Sequence, residues 1–257
     1  MYRGFNLKGS LTPHKFFQDI GNDLFVEQQQ QVQKKLNKFL LPNNSLNGTE
    51  IQENWFPEID AHIFLSHSHE DEETALILAG WLYRNFGLKT FIDSTVWGYS
   101  HDLLKIIDNT YCLNPGGETY SYEKRNYSTS HVHLMLAAAL NKMIDSCECI
   151  FFMNTPNSIS SNADTERTSS PWIYTEIVVT QTIQKKTPDR LRAQTRTFSK
   201  GENLNEGPKI EYELELSHLR ELDFGELIGI FKSEVYSPED ALDKLYRHKP
   251  ISDYFYK

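Results

Sequence analysis

Residues 61–93 read AHIFLSHSHEDEETALILAGWLYRNFGLKTFID, and this stretch decides the fold class. Ala61–Ser66 is a short apolar run of strand length. Ser68 and Asp71 follow at the spacing of a helix-start capping signal, in which short oxygen-bearing side chains satisfy free backbone amides. Ala75, Leu78, Ala79, Leu82 and Phe86 then recur at helical spacing, forming one apolar face. Gly87 stands where a helix end calls for positive φ, and Leu88–Asp93 begins a second apolar run. The pattern is strand, helix, strand.

Working outward, the same alternation continues. His101–Asn109 reads as a short helix after a loop over Ser94–Ser100. A helix is marked by Val132, Met135, Leu136, Ala139, Leu140 and Met143. Cys149–Asn154 is a strand apolar along its whole length, as expected when both faces are buried. Ser170-Pro171 is a strong helix start, since proline's fixed φ suits the first helical position; that helix runs to about Gln184. Strands alternating with helices imply a parallel sheet covered on both faces, and ligands of such sheets bind at the carboxyl ends of the strands. The ends in question are Ser66-His67-Ser68, Asp93 and Asn154. Upstream, Thr12–Leu41 reads as an amphipathic helix interrupted by Gly21. Residues 111–130 are polar with Pro115-Gly116-Gly117 and read as an inserted loop carrying Tyr111, Tyr120, Tyr122 and Tyr127. Ile210–Ser217 reads as a strand with one wet face, and Pro238–Arg247 as a last helix.

Composition narrows the function classes. The formal charge is −9, from 35 acidic and 26 basic side chains, which argues against nucleic acid or an anionic membrane as the main partner, since both demand a concentrated positive field. The longest apolar run, Cys149–Met153, is far below the roughly 20 residues of a membrane span. The first residues lack the apolar stretch of a signal peptide, and Cys112, Cys147 and Cys149 form no disulfide pattern. A cytoplasmic protein is expected.

The segment Ser170–Ile177 (SPWIYTEI) holds the best chemistry. Trp172 and Glu176 are four apart and lie on one helix face, one turn apart. An indole beside a carboxylate suits a ribosyl site: the ring stacks on a flat base while the carboxylate holds ribose hydroxyls or stabilises an oxocarbenium-like centre. A buried Trp and a surface Glu at ordinary helical spacing would give the same pattern, so context must decide.

That context resembles the Toll/interleukin-1 receptor (TIR) domain family. Ile63–Asp71 (IFLSHSHED) looks like the opening strand and loop of these domains. Phe91-Ile92-Asp93, a loop, and Leu103-Leu104-x-x-Ile107 resemble their second strand, BB loop and next helix. Trp172-x-x-x-Glu176 resembles the tryptophan and catalytic glutamate of the enzymatic members. The resemblance covers about residues 60–187. It implies a flavodoxin-like parallel sheet flanked by helices over residues 59–257, with residues 1–58 as an N-terminal helical extension. It also implies NAD glycohydrolase or ADP-ribosyl cyclase chemistry, with NAD as substrate and no metal or separate cofactor. Glu176 would be catalytic. Ser66, His67 and Ser68 would line the ribose and phosphate side, Asp93, Trp97 and Ser100 another wall, and Trp172 would flank the base. Self-association is expected of such domains. A nearly free-standing TIR domain resembles bacterial antiphage proteins, including the TIR components of Thoeris-type systems, whose ADP-ribose-derived messenger activates a separate effector protein.

Other readings remain open from the residues themselves. His67, His69 and Asp71 satisfy H-x-H-x-D, the first metal-binding run of metallo-β-lactamase-like hydrolases, with His131 and His133 as a further pair. Position 72 is Glu where that family places a histidine, and an i, i+2 pair on a helix points to different faces. An NAD-depleting effector and a non-enzymatic TIR scaffold are the alternatives within the same fold.

Overall fold

The computed structural model describes residues 1–30, 39–41, 45–162, 165–191, 212–231 and 237–250. The chain begins with strand β1 (Arg3–Lys8) and helices α1 (Lys15–Gln30) and α2 (Gly48–Trp55). Then come β2 (Ile63–Ser66), a 3-10 turn at His69–Asp71, α3 (Glu72–Phe86) and β3 (Thr90–Ile92). Two long helices follow, α4 (Ser94–Tyr111) and α5 (Tyr122–Ser146), and then β4 (Cys149–Met153). The later elements are β5 (Ser160–Asn162), β6 (Thr165–Thr168), α6 (Pro171–Thr182), β7 (Tyr212–Glu213), β8 (Arg220–Asp223), α7 (Phe224–Ile230) and α8 (Pro238–His248).

Five strands form one sheet in the order β3-β2-β4-β1-β8, and every neighbouring pair is parallel. With its flanking helices this is an α/β, flavodoxin-like fold. β4 is the central strand and is buried along its entire length. Phe151 packs edge-on against Phe5 of β1, with ring centroids 5.8 Å apart. A second, antiparallel sheet joins β5, β6 and β7. From β2 the chain steps outward to β3, while β4 leads toward β8 at the other edge. The order of travel therefore reverses between β2 and β4, and the crevice outside their carboxyl ends is where ligands of open α/β sheets bind.

The chain divides into two compact units. The first comprises residues 1–22, 60–92 and 144–257, and holds the parallel sheet; the second comprises residues 23–59 and 93–143. In the first, α3 ends at Gly87 with φ of 66°, the left-handed cap its sequence position calls for. Ser170 Oγ accepts from the Ile173 amide at 3.3 Å, with Pro171 in the first turn of α6.

Several elements differ from the sequence reading, and each difference has a local cause. Residues 1–58 read as a helical extension, yet Arg3–Lys8 is a strand inside the sheet, in register with both β4 and β8. Its alternating Phe5 and Leu7 are buried by long-range partners, a signal no local window carries. The Arg3 guanidinium reaches the last turn of α8, donating to the carbonyls of Tyr246 and Lys249 at 2.9 and 2.7 Å. Gly21 does not interrupt α1. It lets the helix lie against α3, because a Cβ at Gly21 would sit 2.0 Å from the Leu76 carbonyl oxygen. The expected loop over Ser94–Ser100 is the first part of α4, and the expected inserted loop at 111–130 shrinks to the turn before Tyr122, where α5 starts. The predicted wet-faced strand at 210–217 narrows to β7; residues 210 and 211 lie outside the described residues. The part of the first predicted helix at 31–38 lies outside them as well.

Candidate active site

Glu176 projects from the middle of α6 and has 0% of its surface exposed. Ser66, the last residue of β2 and equally buried, donates its hydroxyl to Glu176 Oε2 at 2.6 Å. That length is a short but ordinary one for a hydroxyl donating to a carboxyl oxygen. The bond carries the carboxylate to the carboxyl end of β2, beside the reversal point of the sheet. Trp172 stands one turn before Glu176 on the same helix and is half-buried.

His67 is buried, its Nδ1 3.4 Å from the Leu65 carbonyl oxygen. Ser68 starts the 3-10 turn by its backbone, but its side chain makes no capping bond, in contrast to the capping signal read from the sequence. Asp71 likewise caps nothing with its side chain. Its carboxylate is taken by the loop after β4, where Thr155 Oγ1 donates to Oδ2 at 2.5 Å and Asn157 Nδ2 donates to Oδ1 at 2.8 Å. Ser158 Oγ donates to the Met153 carbonyl at 2.7 Å and anchors that loop to its strand. The loops leaving β2 and β4 are thus bolted together across the crevice. Sequence reasoning passed over Thr155 and Asn157. The available signal was the Thr-Pro-Asn-Ser run directly after a buried strand, a composition that forms side-chain-bonded turns.

The far side of α6 is held as firmly. Tyr174 stacks on Tyr212 with centroids 4.3 Å apart, and Gln181 Nε2 donates to the Glu215 carbonyl at 2.7 Å. Thr180 Oγ1 lies 2.7 Å from His218 Nε2. Burial, with the cation of Lys185 acting in the same direction, lowers the His218 pKa to about 4.

The remaining sequence candidates belong to the second unit. Asp93 and Ser100 are buried at the N-terminal end of α4, where Asp93 occupies the cap position without a side-chain capping bond. Trp97 lies on α4, and its side chain is outside the described residues.

The residues of the metal-site reading have different surroundings and partners. His69 is exposed and pairs with Glu72 at 3.4 Å, His67 is buried, and Asp71 is held by Thr155 and Asn157. Among the described residues no group of three or more His, Cys, Asp or Glu side chains is arranged to hold a metal ion. His131, exposed on α5, meets the Tyr127 ring at 4.4 Å. Among the described residues no helix is long and apolar enough to cross a membrane.

Comparison with known proteins finds no family model, no curated protein and no solved structure that matches the chain.

Proposed function

We propose that the chain is a TIR-type enzyme that cleaves the N-glycosidic bond of NAD, with Glu176 as the catalytic carboxylate. The observation that carries this reading is the Ser66–Glu176 bond. It brings together two of the three sequence motifs on which the TIR resemblance rests, at the carboxyl ends of the strands where the sheet reverses direction. In the reaction the C1′–N bond breaks with both electrons leaving on the nicotinamide nitrogen, so nicotinamide departs neutral. The positive charge passes to the ribosyl carbon and ring oxygen, and a nearby carboxylate stabilises it. A water molecule or a hydroxyl then bonds to that carbon and gives up its proton. Ser66 orients the carboxylate, and Trp172 offers a ring face for the base.

Glu176 has no exposed surface in this conformation, so the crevice has to open before NAD reaches it. That opening is the step a trigger or self-association would control. By the same resemblance the product is an ADP-ribose-derived messenger that activates a separate effector in bacterial antiphage immunity, made in the cytoplasm.

The test is to incubate the full chain at high concentration with NAD, alongside Glu176→Gln, and to follow products by chromatography and mass spectrometry. Nicotinamide release that disappears in the variant supports the assignment. A lasting ADP-ribose-derived product points to messenger synthesis, whereas free ADP-ribose alone points to NAD depletion. Equal release by both proteins overturns the role of Glu176.

A further inference from the structure

We infer that the second unit carries a binding site for a small, flat aromatic molecule, in the open-mouthed cavity lined by α2, α4 and α5. The cavity has a volume of about 620 Å³, within the range of sites that bury a single small organic ligand. Its floor is apolar and comes from all three helices: Ile51 of α2, Ile107 of α4 and Met135 of α5, with Cys112 beside them.

The polar groups near the floor are already committed to one another. Ser128 Oγ donates to Asp108 Oδ1 at 2.8 Å, and Arg125 Nε donates to Asp108 Oδ2 at 2.8 Å. Burial pushes the Cys112 thiol pKa up, which keeps the sulfur neutral. A ligand's inner end therefore gains by being apolar, since a polar group there would lose its water without finding a free partner.

Aromatic rings mark the mouth. Tyr111, Tyr127 and His131 border the cavity, and the Tyr127 side chain is largely exposed. Rings arranged in this way favour another aromatic ring, offset or edge-on. Glu123 and Lys124 also border the opening with opposite charges, so the rim does not select for a strongly charged ligand. Gly48, at the first turn of α2, is among the lining residues, and a Cβ built on it meets nothing within 4 Å, so a side chain can be added there without a clash. The volume suits a compact molecule, and the preferred occupant is a neutral bicyclic or larger aryl compound.

The probe is N-phenyl-1-naphthylamine, a neutral aryl dye whose fluorescence rises in apolar surroundings, titrated into the full chain. Wild type is expected to saturate near one dye per chain. Gly48→Leu and Met135→Trp fill the cavity from two different helices, and each is expected to weaken binding at least tenfold while the thermal unfolding midpoint stays near wild type. Gly229→Leu, placed on α7 where a Cβ also meets nothing within 4 Å, is expected to bind as wild type does. Failure of wild type to show saturable binding overturns the proposal. So does wild-type affinity in either filling variant that remains folded.

Discussion

Two glycines show how differently the two units are built. A Cβ at Gly80 of α3 would lie 1.9 Å from the Phe17 carbonyl oxygen, so α1 and α3 meet backbone against backbone. A Cβ at Gly48 of α2 would meet nothing within 4 Å, and a cavity of about 620 Å³ lies beside it. The first unit is also closed chemically, with Ser66 committed to Glu176, and Thr155 and Asn157 committed to Asp71. The second unit commits its buried Asp108 to Ser128 and Arg125, and Ser128 also lines the cavity formed among the described residues. A close-packed crevice around a buried carboxylate must open before it can act. A formed cavity admits a ligand without that cost, so the two regions should respond to substitution in opposite ways.

The largest effect is expected at Glu176. Glu176→Gln keeps an oxygen that can accept from Ser66, so the unfolding midpoint should stay near that of wild type. Nicotinamide release should fall at least about 100-fold, the lower range for loss of a positioned carboxylate. A variant that keeps its rate would detach the chemistry from the close-packed unit and break the comparison at its main point.

The glycines test the packing itself. Gly80→Ala forces a methyl into the α1–α3 contact, and overpacking of this kind costs about 1–3 kcal/mol. Gly48→Ala places the same methyl in open space and relieves the entropic cost of glycine in a helix, so stability should hold or rise by up to about 1 kcal/mol. Urea unfolding of the two variants against wild type decides the matter. Equal losses at both positions would mean that the second unit is packed as tightly as the first.

What could be read from the sequence follows the same physical division. β2, α3 and β3 were legible in residues 61–93 because their apolar runs, helical spacing and Gly87 are all local signals. β4 was legible because CIFFM is buried on both faces. β1 was not. Its RGFNLK sequence holds only two large apolar residues, and its strand state comes from partners far along the chain. A Cβ at Gly4 would come within 2.4 Å of Leu219 Cδ2, so a larger residue there would make the Leu219 side chain shift, yet nothing local announces that neighbour. β8 escaped for a similar reason: at the sheet edge, only Leu222 of RELD is buried. The start of α5 was hidden by a run of exposed polar and aromatic residues from Tyr122 to Tyr127. At the candidate site Ser66 and Glu176 were legible because each lies on a regular element with a recognisable motif. Thr155 and Asn157 were not, because loop residues carry no periodicity.

The smallest expected effect lies on the far flank of α6, and it asks whether close packing extends there. Burial holds the half-buried His218 imidazole neutral, with its pKa near 4 in the folded chain against an ordinary value of 6.5. Between those values the unfolded chain binds more protons than the folded one, so stability declines as pH falls through that window and is fully retained above 6.5. Because part of the ring meets solvent, the loss is discounted to about 1 kcal/mol. Urea unfolding at pH 7.5 and pH 5 should show this decline in wild type, and His218→Asn should flatten the His218 share of it. The variant also removes the Thr180 contact, so its stability at pH 7.5 supplies the baseline, and only the difference between the two pH values bears on titration. A variant with the full wild-type pH dependence would show that the ring is open to water in the folded chain. In that case tight packing would be confined to the Ser66 side of α6, and the Glu176 crevice would have a looser flank from which to open.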